Sequence, residues 1–165
     1  LPIFTFSEFP ILPSAPFLKY DPGDVPALLA AFSMGTWAGI ATEALKCVLF
    51  HLFGKNTTGV VGTAAMFVAG ASLVGVAGLV YSRVRSLSGA LLSLVAGTVA
   101  MTATMFVANI YIFLPLWNIP EVARVGLAVS AVLPFNALKG VLSSVITVAL
   151  YKRVSKILKS RTNLG

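Results

Sequence analysis

An amide and an ammonium stand three residues apart in the run Pro134-Phe-Asn-Ala-Leu-Lys-Gly140, at the head of a long apolar stretch that reads as a helix. A lysine taken into hydrocarbon costs about 2.5–3.5 kcal/mol even on lenient insertion scales, so Lys139 needs a partner or a task. Asn136 and Lys139, at i and i+3, share a helix face. An amide offers a donor and an acceptor and an ammonium offers three donors, a set suited to a ligand with carbonyls or ring nitrogens. The plainer reading is a lysine snorkelling to the headgroups. Asn109 falls at similar depth, a few residues before the end of the preceding apolar stretch. Pro134 suits a first helical turn, whose free N–H groups would face the same acceptor. A second pair at i and i+3, Glu43 and Lys46, lies midway along another apolar stretch, either as a buried ion pair joining helices or as further ligand contacts. Asp24 reads as a helix cap and nothing more. Phe17, Tyr20, Phe106, Tyr111, Trp117 and Phe135 supply flat surface for a ring system, or else an interfacial aromatic belt.

Chemistry of other kinds finds little footing. There is one histidine, His51, and one cysteine, Cys47, too few for a zinc site or a disulfide framework. No Gly-x-x-x-x-Gly-Lys-Ser/Thr run occurs, nor a strand followed by a glycine loop and a helix, so neither P-loop nor dinucleotide binding is expected. Serines and threonines lack a nearby base. Neither an enzyme nor a bound cofactor or metal is expected.

The elements that must hold these groups follow from composition. With 58% hydrophobic and 10% charged residues among 165, and a mean hydropathy of +0.94, the chain has too little polar surface to enclose itself in water. It reads as an all-α integral membrane protein with six transmembrane helices in one domain. The expected order is a remnant of a first helix at 1–11, an outer loop at 12–24, and helices at 25–35, 36–53, 59–82 and 88–115. An outer loop or short helix at 120–132 and a last helix at 134–158 complete it. Arg83 and Arg85 follow one helix, and Lys152, Arg153, Lys156, Lys159 and Arg161 follow the last, which makes that face cytoplasmic and the C-terminus internal. The net charge of +7 then reads as topology and attraction to anionic lipid in the cell membrane. A nucleic-acid binder would need basic surface interleaved with aromatics, which is absent. Small residues recur every fourth position at Ala27, Ala31, Gly35 and Gly39 and at Ala96, Ala100, Thr104 and Ala108, stripes that let helices approach one another or dock another membrane subunit.

Several runs together resemble a known family. They are Ala15-Pro-Phe-Leu-Lys-Tyr-Asp21, Asp24-Val-Pro-Ala-Leu-Leu29, Glu43-Ala-Leu-Lys46, Thr58-Gly-Val-Val-Gly62, Asn109 ahead of Leu114-Pro-Leu116, and Pro134 to Gly140. The chain is similar along nearly its whole length to the riboflavin-binding S components of energy-coupling factor (ECF) transporters. The resemblance implies six helices, an outward-facing vitamin pocket, and no transport chemistry of its own. Energy would come from a T component bearing two ATPase subunits. It implies that Asn109, Asn136 and Lys139 hydrogen-bond the flavin, riboflavin or its phosphate FMN, while Phe17, Leu18, Lys19 and Tyr20 form a lid. Lys19 is the residue placed to meet a phosphate. An S component for another vitamin, and a partner subunit without transport function, are the alternatives.

Overall fold

The computed structural model describes residues 9–10, 18–53 and 59–162; of the expected first-helix remnant at 1–11 all but residues 9 and 10 lies outside them, as does the lid residue Phe17. Phe9–Pro10, read from sequence as helix remnant, is instead a strand (β1), paired antiparallel with Lys19–Tyr20 (β2) in the register Phe9 to Tyr20 and Pro10 to Lys19. Proline has no N–H for a helix and forces the residue before it into extended backbone, so Phe9-Pro10 favours a sheet edge.

Five helical runs follow. The first two are α1, Asp24–Met34, and α2, Thr36–Leu52. They are separated by the single residue Gly35, whose φ of 103° is strained for any residue with a side chain. Pro26 is tolerated in the first turn of α1 because its missing N–H would have had no helical partner. The third, α3, is Gly59–Arg83 and the fourth, α4, is Leu87–Leu116. Ser86 caps α4 by accepting a hydrogen bond from the Gly89 N–H at 3.0 Å. Ser86→Ala is therefore expected to cost about 1 kcal/mol of stability, seen as a lowered melting temperature in detergent. An unchanged melting temperature would show the cap to be dispensable.

The end of α4 is a Schellman turn. Asn118 takes the left-handed conformation at φ 57°, Ile119 N donates to Leu114 O at 3.0 Å, and Asn118 N donates to Pro115 O at 2.9 Å. The last run, α5, opens at Glu121–Leu127, widens into a π turn at Ala128–Val132 and continues as Leu133–Thr162. The last helix thus begins thirteen residues ahead of Pro134, where the sequence had suggested a loop or short helix. A second π turn, Asn109–Phe113, interrupts α4. Each π turn ends two residues before a proline, Pro115 or Pro134. A proline ring clashes with the carbonyl four residues back and supplies no hydrogen bond, and a locally wider turn absorbs both defects without ending the helix.

Among the described residues, three helices are long and apolar enough to cross a membrane: Gly59–Arg83, Leu87–Leu116 and Glu121–Tyr151. The exterior is largely apolar, with Leu79, Leu92, Val95, Val99 and Val145 more than half exposed, while Asp21, Asp24, Glu43, Lys46 and Lys139 and the hydroxyls of Ser93, Ser143 and Thr147 are buried. That inverted distribution is what a lipid solvent selects. Close crossings are made by glycines. A Cβ on Gly39 would meet Ala31 and Val74 at 2.6 Å, and one on Gly97 would meet the Leu73 carbonyl at 2.6 Å. Of the stripe Ala27, Ala31, Gly35 and Gly39, three residues are spent on packing within the chain, whereas Gly35 is the exposed residue between the two helices. The buried face of α4 is Ser93, Gly97, Met101, Met105 and Ala108, so of the second stripe only Ala108 belongs to it and Thr104 is exposed.

Candidate functional site

Five ionisable side chains meet inside the apolar bundle. Lys46 of α2 sends its ammonium 2.5 Å from Asp24 Oδ1, 2.5 Å from Glu43 Oε1 and 3.2 Å from Asp21 Oδ2. Three carboxylates around one ammonium match its three N–H bonds in number. Asp24 reaches a second lysine as well, with Oδ2 3.0 Å from Lys139 Nζ of α5. All five groups are at most 5% exposed. Unpaired charges there would be prohibitive, and mutual attraction at short range offsets the desolvation.

The sequence placed Glu43 and Lys46 together, and they do pair, but the acids that complete the cluster were read otherwise. Asp24 does not cap α1: the helix has no side-chain cap, and the Asp24 carboxylate is turned to the lysines. Asp21 reaches in from the preceding turn, its Oδ1 accepting from Gly23 N at 2.8 Å while Oδ2 faces Lys46. Charge balance was the signal available, since two lysines buried with a single glutamate demand another acid and the chain has only five. Cys47 Sγ lies 3.8 Å from Glu43 Oε1, a weak donor to the same carboxylate. Gly70 of α3 floors the cluster, for a Cβ there would collide with the Glu43 carboxylate.

Asn109 opens the first π turn, Asn136 lies one helical turn past the second, and the two π turns touch. Each amide nitrogen donates to the carbonyl four residues back, Asn109 to Met105 O and Asn136 to Val132 O, both at 2.8 Å. Among the described residues neither amide oxygen accepts a hydrogen bond, so each keeps an acceptor and a second N–H for another molecule. Asn136 and Lys139 lie in mid-helix rather than at a helix start, so no set of free backbone N–H groups exists at Pro134 to assist them. Around these groups Phe135 and Phe113 are buried, and Trp117 packs on Phe113 with ring centroids 6.4 Å apart. Tyr111 points outward, 76% exposed, and belongs to the lipid-facing surface rather than to any ring sandwich.

The lid residues are described from Leu18 onward. Leu18 is half-buried, Lys19 exposed and Tyr20 buried, its hydroxyl 3.3 Å from Ser143 Oγ of α5. Burial, with the nearby Asp24 and Asp21 carboxylates, holds the Tyr20 hydroxyl above its usual pKa, so it stays a neutral hydrogen-bonding group. β2 is thereby tied to the same helix that carries Asn136 and Lys139. A separate apolar groove of about 450 Å³ runs between α4 and α5, lined by residues such as Leu91, Val95, Val141 and Val145; none of the polar groups above lines it.

The profile of the family described as ECF transporter, substrate-specific component, matches residues 2–151. The chain belongs to that family. This S component is also 36% identical over 163 residues to the riboflavin transporter RibU of Staphylococcus aureus, covering 95% of this chain and 85% of the relative. It is 36% identical over 146 residues to the riboflavin transporter FmnP of Bacillus subtilis, covering 84% and 76%. A solved structure described as the S component of a bacterial ECF transporter superposes with a TM-score of 0.82 at 36% identity, over 95% of this chain and 89% of that one. The all-α membrane fold inferred from composition is that of the family.

Proposed function

We propose that this S component binds riboflavin from the outer side of the cell membrane and releases it inward when joined to a T component and two ATPase subunits. The observation that carries the reading is the placement of two amides and one ammonium with uncommitted hydrogen-bonding capacity in an apolar interior, on a chain 36% identical to two riboflavin transporters over most of its length. The pyrimidine edge of a flavin carries an imide N–H, two carbonyls and ring nitrogens. The Asn109 and Asn136 oxygens suit the imide N–H, and their remaining N–H groups and the Lys139 ammonium suit the carbonyls and ring nitrogens. The apolar end of the ring would rest among Phe135, Phe106 and Trp117. Leu18, Lys19 and Tyr20, with Phe17, would close over it. Glu43 and Lys46 serve the pocket by fixing α1 against α2, not by touching the ligand. The basic residues of the C-terminal segment favour a cytoplasmic C-terminus beside anionic lipid.

The deciding measurement is the visible spectrum of the detergent-purified protein, followed by titration of the stripped protein with riboflavin. Flavin bands near one equivalent and saturable quenching are expected. Asn136→Ala and Lys139→Ala should each weaken binding by about 1–3 kcal/mol, the cost of a lost buried hydrogen bond, while the apo protein still purifies folded. A colourless protein that ignores riboflavin would sink the assignment.

A further inference from the structure

We propose that Asp24 is a positioning residue for substrate: it does not touch the ligand, but its shared carboxylate fixes where the Lys139 ammonium stands. The inference rests on the role of Lys139 in flavin binding proposed above and adds the residue that governs it. Asp24 is fully buried at the first position of α1, where an aspartate ordinarily serves the helix N-terminus, yet its side chain makes no cap. Its two oxygens are divided instead. Oδ1 accepts a hydrogen bond from Lys46 at 2.5 Å and Oδ2 stands 3.0 Å from Lys139. The division is unequal in consequence. Lys46 has Asp21 and Glu43 besides, whereas among the described residues Asp24 is the only carboxylate paired with Lys139. Position is therefore passed along a chain of contacts, from Glu43 and Asp21 through Lys46 to Asp24 and on to Lys139, crossing from α2 to α1 to α5.

The character of the last contact matters as much as its length. Asp24 Oδ2 receives no aligned hydrogen bond. Asp24 is a single anchor at 3.0 Å, so of the three N–H bonds of the ammonium at least two are left to turn toward an acceptor on the ligand. A group held in this way is preorganised without being consumed, which saves the ligand the cost of ordering it.

The test is a double-mutant cycle on riboflavin affinity with the detergent-purified wild type, Asp24→Asn, Lys139→Met and the double variant, read by flavin fluorescence quenching beside apo thermal melts. Asp24→Asn and Lys139→Met are each expected to weaken binding at least tenfold. In the Lys139→Met background, Asp24→Asn should change affinity by no more than about twofold, because the group through which it acts is gone. The double variant should also melt above Asp24→Asn alone, since it no longer buries a lone ammonium, and yet regain no affinity. Multiplying losses in the cycle, or wild-type affinity in Asp24→Asn, would overturn the proposal. Should Asp24→Asn fail to fold, the double variant compared with Lys139→Met decides: equal affinity supports the positioning role and a further tenfold loss refutes it. A wild type that ignores riboflavin overturns the flavin reading and this proposal together, whereas a binding wild type with multiplicative losses overturns this proposal alone.

Discussion

Lys46→Met is expected to destabilise the apo S component more than the loss of any other single charge in the cluster, by about 3–5 kcal/mol. The ammonium of Lys46 is the common partner of Asp21, Asp24 and Glu43, and its removal leaves three buried carboxylates with one remaining lysine between them, within reach of Asp24 only. Methionine fills nearly the same volume, so the effect isolates charge from packing. The measurement is the melting temperature in detergent together with the monodisperse fraction on gel filtration. Lys139→Met provides the contrast. It strands only Asp24, which keeps Lys46, so its stability loss should be much the smaller of the two while its effect on riboflavin affinity is the larger. If Lys46→Met melts with the wild type, the cluster is not held by charge. If Lys139→Met is the more destabilised, the division between a structural lysine and a ligand-facing lysine fails.

That division was half legible in the sequence. Polar residues in apolar runs stand out by composition alone, and Asn109, Asn136, Lys139, Glu43 and Lys46 were all visible on that ground; each of them is buried. Asp21 and Asp24 were not, because they flank the Pro22-Gly23 turn, where acids are usually solvated and read as turn or cap residues. Only the three-dimensional return of that turn against α2 and α5 shows what they do. The helix register was obscured for a different reason. Pro115 and Pro134 read as boundaries because proline disrupts a 3.6-residue helix, but a π turn ahead of each lets the helix run on, and nothing in a hydrophobic period betrays a single wide turn. The β1–β2 pairing is two residues long on each side, too short for any alternating pattern to register.

Gly70→Ala should be nearly as damaging as Lys46→Met, although it changes no charge. Gly70 is buried in α3 directly beneath Glu43, and a Cβ there would overlap the carboxylate carbon and Oε1 and stand 2.7 Å from Cγ. In an ordinary core an added methyl costs about 1–3 kcal/mol, because side chains shift to admit it. Glu43 has poor choices for shifting. Its Oε1 is engaged with Lys46, and its Oε2 is buried without a hydrogen-bond partner, so displacement breaks the ion contact without finding another group to receive the charge. The overlap and the disturbed pair together are expected to cost about 3–5 kcal/mol. Relief distinguishes this cause from a general intolerance of α3 to bulk. In Gly70→Ala/Glu43→Ala the methyl has room, Lys46 retains Asp21 and Asp24, and the double variant should melt above Gly70→Ala alone even though it carries a second substitution. A Gly70→Ala protein as stable as the wild type would mean that Glu43 has another place to go. A double variant no better than Gly70→Ala would move the damage to the helix crossing itself, away from the charge cluster that connects α2 through Asp24 to the Lys139 ammonium.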